Sequence, residues 1–173
     1  MRRKKPSGAG QLALINYKFT WADKESDLDH AWLRAALNAC EENGFEPVMS
    51  CHPAERHDVS GITWADRTIE ELLAESALVV TRSSTVIYQA LASGVQPFLY
   101  PIAKEELYEL SDPMACFPIC QTSDDLCEAV SRWRIASMPP PSMNFLDRHV
   151  SVIPDKPAFQ RVAEALLELA GGS

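Results

Sequence analysis

Residues 77–94 form one continuous pattern that constrains the fold more than any other part of the chain. Residues 77–81 (Ala-Leu-Val-Val-Thr) are an apolar run of strand length, which predicts a buried strand. The polar turn at 83–85 then leads into a stretch that ends at Gly94, which predicts a helix with a glycine stop. A second apolar run follows at 97–100. The order strand, turn, helix, strand indicates a βαβ unit, and such units build parallel sheets.

The same alternation continues on both sides of this unit. Four further runs predict additional strands, the last two of them short and at sheet edges: 11–16, 46–50, 61–64 and 116–120. Helical periodicity predicts a helix over about 26–43 that Gly44 ends, and two capping patterns, Thr68-x-x-Glu71 and Thr122-x-x-Asp125, predict two more helix starts. We therefore expect a doubly wound parallel α/β sheet of about five to six strands in a single Rossmann-like domain.

The length of 173 residues suits one domain with a full core and is short for two. Residues 1–10 are expected to form a flexible basic tail, and residues 11–173 to fold as the domain. A last helix is expected after Pro157, with one buried stripe made of Phe159, Val162, Leu166 and Leu169.

Charge and composition exclude several classes of function. The net charge is −8 although residues 2–5 are all basic, so the rest of the chain is strongly acidic and should repel nucleic acid. No apolar run approaches the roughly 20 residues of a membrane helix. The five cysteines are odd in number and form no Cys-x-x-Cys pair, so we interpret them as reduced thiols of a cytosolic protein, without a metal site.

Two polar turns are expected at the carboxyl edge of the sheet, where ligands of such folds bind. At the first, Ser83, Ser84 and Thr85 bring three hydroxyl groups and unpaired backbone N–H groups to the start of a helix, which suits phosphate. The alternative is that Ser83 or Ser84 only caps the helix. Arg82 can either face the ligand or bridge to a carboxylate.

The second turn contains His52, which Pro53 holds in an extended conformation. Its imidazole can donate a hydrogen bond to a phosphate oxygen and can carry positive charge beside an anion. A solvated loop histidine is the simpler alternative.

The block 73–101 resembles the nucleotide-sugar-binding C-terminal domain of GT-B glycosyltransferases. Undecaprenyl-linked N-acetylglucosamine transferases of peptidoglycan synthesis, capsule and teichoic-acid polymerases and bacterial sialyltransferases are similar over this block. In the sialyltransferases a His-Pro turn and a Ser-Ser/Thr turn contact the nucleotide phosphates, and His52-Pro53 and Ser83-Ser84-Thr85 match these turns in order. Gln89 stands where many relatives carry a glutamate that holds the ribose hydroxyls.

The resemblance implies a donor-binding domain or subunit of a GT-B glycosyltransferase in surface polysaccharide or glycan synthesis. Its ligand would be a nucleotide-sugar or a nucleoside mono- or diphosphate, with no other cofactor. The catalytic base stays unassigned, because in this family the acceptor-binding half usually supplies it. That half would be a second domain or subunit, which is membrane-bound in split transferases. The location implied is the cytoplasm or the inner membrane face.

Two other readings remain open at this point. One is a non-catalytic nucleotide- or phosphate-binding module with a regulatory or interaction role, which Gln89 favours. The other is an enzyme like the UDP-sugar 2-epimerases, which use the same donor domain and also need a partner half.

Overall fold

The computed structural model describes most of the central part of the chain. The described residues are 11–17, 27–51, 64–101 and 117–136, together with 160, 163, 164, 166 and 167. The predicted basic tail at 1–10, His52 and the region 102–116 lie outside them, and so do Phe159, Val162 and Leu169 of the predicted last helix.

Strands and helices alternate along this part of the chain. Their order is β1 (Leu12–Tyr17), α1 (Asp27–Glu42), β2 (Glu46–Cys51), α2 (Ile69–Glu75), β3 (Ser76–Thr81), α3 (Val86–Ala92), β4 (Gln96–Leu99) and α4 (Ser123–Ala136). The strands are parallel and lie in the order β2-β1-β3-β4. The predicted doubly wound parallel α/β architecture is confirmed.

The sheet has four strands within the described residues, fewer than the five to six expected. Both predicted edge strands shrink there to single parallel bridges, Trp64 with Met49 and Ile119 with Leu99. At the second edge the chain has a physical reason to stop pairing. Pro118 accepts a hydrogen bond from the Leu99 N–H at 3.0 Å but has no N–H of its own to extend the ladder.

Helices cover both faces of the sheet, and the two faces have different cores. Against α1 and α4 the core is rich in aromatic side chains, among them Trp32, Phe45, Phe98 and Trp133. Against α2 and α3 it is aliphatic, and its central residues are Leu14, Leu72, Leu73, Val79 and Val86. Alternation along each strand produces this division, because successive side chains point to opposite faces.

Glycines end α1 and α3 in the same way. Gly44 and Gly94 have φ values of 75° and 72°, a left-handed conformation that side chains with a Cβ rarely adopt. In each case the next residue, Phe45 or Val95, donates its N–H back to the carbonyl five residues earlier, at 3.0 and 2.8 Å. Both ends are Schellman motifs, and both predicted stops are confirmed.

The two predicted capping patterns also form. Thr68 accepts from the Glu71 N–H at 3.3 Å, and the Glu71 carboxylate accepts from the Thr68 N–H at 2.9 Å. Thr122 and Asp125 exchange the same pair of bonds, at 3.1 and 3.0 Å. These reciprocal bonds satisfy N–H groups that the helix itself cannot.

The expected burial of Leu166 is wrong. Its side chain is 61% exposed and that of the neighbouring Leu167 is 72% exposed. Leu166 therefore does not pack against the sheet, and the expected burial of Phe159, Val162 and Leu169 stays a prediction.

Candidate functional site

The β3–α3 turn lies at the carboxyl edge of the sheet, as the sequence predicts. Thr81 is the last residue of β3 and is fully buried, and α3 begins at Val86. Between them, Ser83 and Ser84 are half-buried and Thr85 is exposed. The turn therefore has a buried base and an accessible tip.

The three hydroxyls of this turn do not share one role. The Ser84 Oγ accepts a hydrogen bond from the Val86 N–H at 3.3 Å, so the capping alternative holds for this serine. The Thr85 side chain makes no capping bond. Within the described part of the chain, the hydroxyls of Ser83 and Thr85 form no hydrogen bond. They are the two that are available to a ligand.

The N–H groups available at this turn precede the helix. The Ile87 N–H donates to the Ser84 carbonyl at 3.2 Å and the Tyr88 N–H to the Thr85 carbonyl at 3.0 Å, so the first turn of α3 satisfies its own donors. The N–H groups of Ser83, Ser84 and Thr85 donate to no described residue. Since α3 has only seven residues, its dipole adds little, and local donors must supply most of any attraction for an anion.

The two other described candidates flank this turn. Arg82 follows β3 directly and is only 8% exposed, which places most of a guanidinium below the surface of the edge. Gln89 is exposed one turn along α3, and its Nε2 donates to the Glu70 Oε1 of α2 at 3.4 Å. A ligand that uses Gln89 would have to compete with this weak bond. The structure does not describe His52, so its grouping with the turn stays a prediction.

Sequence reasoning missed a polar layer that joins three strands at the same edge. The Thr81 hydroxyl donates to the Asn16 Oδ1 at 3.2 Å, and the Asn16 Nδ2 donates to the Ser50 Oγ at 3.3 Å. The register pairs Asn16 with both partners. The signal in the sequence is that each of these polar residues follows an apolar run, at corresponding points of β1, β2 and β3.

An aromatic row lies at the same edge on the opposite face. Tyr17 lies beside Trp32 and Trp64, with ring centroids 6.4 and 5.4 Å apart, and Trp32 stacks on Tyr100 at 6.1 Å. The Trp32 Nε1 donates to the Tyr100 carbonyl at 2.7 Å. Burial, and then the nearby Cys120 and Asp125, raise the pKa of Tyr100, so its phenol is a neutral donor.

An open groove of about 510 Å³ is found elsewhere, beside the C-terminal end of α1. Its lining includes the carboxylates of Glu42, Asp124 and Glu128. The same groove contains Cys127, whose thiol donates to Glu42 at 3.2 Å. Because these charges repel phosphate, the groove is unsuited to the ligand expected at the sheet edge.

The described residues limit two other classes of site. No group of three or more His, Cys, Asp and Glu side chains among them is arranged to hold a metal ion. Of the helices described, none combines the length and the apolar character that crossing a bilayer requires.

No protein-family model and no curated protein sequence matches this chain. Among solved structures, the spinosyn rhamnosyltransferase SpnG matches with a TM-score of 0.60 and 15% identity over 91% of this chain and 45% of SpnG. SpnG complexed with thymidine diphosphate matches with a TM-score of 0.58 and 17% identity, over 91% of this chain and 46% of that one. The spinosyn forosaminyltransferase SpnP matches at 0.58 and 17% identity, over 97% and 45%.

These solved structures are GT-B glycosyltransferases, and the chain spans less than half the length of each. At such low identity the likeness concerns the fold. The chain therefore has the Rossmann-like fold of one half of a GT-B glycosyltransferase.

Proposed function

We propose that this chain is the nucleotide-sugar-binding domain or subunit of a GT-B glycosyltransferase and needs a separate acceptor-binding half for activity. One observation carries the proposal: the chain matches SpnG over 91% of its own length but only 45% of that enzyme. The ligand is a nucleotide-sugar or the nucleoside diphosphate that remains after transfer. A role in surface polysaccharide or glycan synthesis, at the cytoplasmic side of a membrane, rests on the sequence resemblance alone.

The β3–α3 turn supports a phosphate contact in this proposal. Its N–H groups at 83–85 and the hydroxyls of Ser83 and Thr85 are the donors left over after the turn has satisfied α3. Donors fixed by a rigid strand and helix bind a charged oxygen without having to be ordered first. In the proposed reaction they stabilise the charge of the departing nucleotide, and Gln89 meets the ribose.

The experiment is a titration of the full chain with thymidine, uridine and guanosine diphosphates and with cytidine monophosphate, followed by backbone amide NMR. We expect the largest shifts at 82–89. The double variant S83A/T85A should weaken binding about tenfold, because it removes hydrogen bonds to a charged group. The control is S93A, which changes an exposed serine at the other end of α3. Absence of shifts at 82–89 with millimolar ligand would contradict the proposal.

A non-catalytic nucleotide-binding module is the second candidate. The bond between Gln89 and Glu70 favours it, since it occupies the side chain expected to hold the ribose. The two candidates differ in their need for a partner. A neighbouring gene for a membrane-bound half-transferase, whose product restores sugar transfer when mixed with this chain, would support the transferase. Nucleotide binding by the chain, with no neighbouring gene whose product restores sugar transfer, would support the module.

A further inference from the structure

The polar layer of Thr81, Asn16 and Ser50 is a hydrogen-bond chain with a direction. Each member donates to the next, from the Thr81 hydroxyl to the Asn16 Oδ1 and from the Asn16 Nδ2 to the Ser50 Oγ. A serine hydroxyl has one hydrogen to donate as well as lone pairs to accept. The Asn16 Nδ2 donates to a lone pair of the Ser50 Oγ, so the hydroxyl hydrogen of Ser50 needs a different acceptor.

No described residue accepts that hydrogen, although Ser50 is only 8% exposed. A buried donor without an acceptor is costly, so such groups normally have a partner in the protein, in water or in a ligand. Ser50 is the penultimate residue of β2, which places it at the carboxyl edge of the sheet, where ligands of such folds bind.

The layer below shows that polarity is not required for packing here. Two residues earlier on each strand, the same face carries Leu14, Val48 and Val79, which belong to the aliphatic core or pack against it. Replacing both partners of a buried hydrogen bond by apolar groups of the same shape can be nearly neutral or stabilising. The switch from apolar to polar at the last layer of three strands at once therefore points to a function of the edge.

We infer that Ser50 is a further ligand-binding residue, which donates its hydroxyl hydrogen to a phosphate oxygen of the nucleotide, and that Asn16 is the positioning residue that keeps this hydrogen directed away from the sheet. The inference rests on the proposed function. It extends the site from the β3–α3 turn across β1 to the end of β2.

The test measures the affinity of the full chain for thymidine diphosphate by calorimetry. S50A should weaken binding about tenfold, and S50T, which keeps the hydroxyl, should restore it to within about threefold. S93A is the control, because Ser93 is an exposed serine at the far end of α3, and it should leave the affinity within about twofold.

A double-mutant cycle tests the role of Asn16. N16A should weaken binding when Ser50 is present and should have no further effect in the S50A background, because it acts through that hydroxyl. Full affinity of folded S50A, or equal losses in S50A and S93A, would overturn the inference while the proposed function stands. A wild-type chain that binds none of the nucleotides would overturn both.

Discussion

The two faces of the sheet differ in the length of their covering helices and in the composition of their cores. One is covered by long helices, α1 with 16 residues and α4 with 14, over an aromatic core. The other is covered by α2 and α3, with seven residues each, over an aliphatic core. The candidate turn and the polar layer belong to the face with short helices. The candidate site therefore lies on the side of the sheet that the two short helices cover.

The largest effect is expected in the aromatic core. Phe98 is fully buried and meets Trp133 edge-on, with ring centroids 6.0 Å apart. F98A should lower the free energy of unfolding by about 3–5 kcal/mol, because it removes the ring and leaves a cavity. Urea denaturation measures the change, and I135A is the control, since Ile135 is 83% exposed. A loss below about 1 kcal/mol in F98A would mean that this core is poorly packed.

The two glycine stops offer a matched pair. G44A and G94A should each cost about 1–2 kcal/mol, because both residues have positive φ. A Cβ at position 44 would in addition come within 3.2 Å of the Arg134 Nη1, whereas space around Gly94 is open. Arg134 donates to the Asn43 carbonyl at 2.6 Å, so G44A should disturb this bond and be the costlier of the two. Equal melting temperatures for both variants would show that the hydrogen bond between Arg134 and the Asn43 carbonyl adds nothing to stability.

The two capping boxes compare the faces directly. T68A and T122A remove the same hydrogen bond from α2 and from α4, and each should cost about 1 kcal/mol. Their effects on hydrogen exchange should differ. The seven-residue α2 should lose protection along its whole length, while α4 should lose it only in its first turn, because a short helix depends more on its cap. Protection retained throughout α2 in T68A would show that packing of Leu72 and Leu73 suffices.

The smallest effect is expected from the ion pair between Arg67 and Glu75. Arg67 donates two hydrogen bonds to Glu75, at 2.7 and 3.0 Å, and these lower the pKa of that carboxyl from its ordinary value of 4.5. A lowered pKa means that the pair stabilises the fold above pH 4.5 and loses this contribution as the pH falls through the folded-state pKa. Both side chains are partly exposed, so water weakens the pair.

The measurement is the difference in melting temperature between the wild type and E75Q over a pH series. The difference should be slight at neutral pH and should vanish in acid. A difference that grows as the pH falls would contradict the assigned direction of the pKa shift.

Local signals in the sequence were sufficient for much of the fold. Apolar runs, Gly44, Gly94 and the two capping patterns define elements through contacts a few residues apart. The predictions for β1 to β4 and for α1 agree with the structure within one or two residues, whereas the predicted edge strands at 61–64 and 116–120 are only single bridges within the described residues. The predicted burial of Leu166 was wrong, because helical spacing shows which residues share a face but not whether another element covers that face.

Only part of the candidate site could be predicted from the sequence, because some of its residues are brought together only by the fold. The hydroxyls at 83–85 are adjacent in the chain, so their grouping could be predicted, although the use of Ser84 as a local cap could not be separated from ligand binding. Asn16, Ser50 and Thr81 are brought together only by the register of three strands. The spacing of these residues along the chain does not predict that register.

The single bridges at the sheet edges have a consequence for assembly. The Met49 carbonyl already accepts the Ala65 N–H. At the other edge the Leu99 N–H donates to the Pro118 carbonyl, and the Leu99 carbonyl accepts from the Cys120 N–H. An incoming strand from another chain would find these positions occupied. Strand addition at either edge would first have to break these bonds, so at these two positions the sheet is protected from extension by another chain.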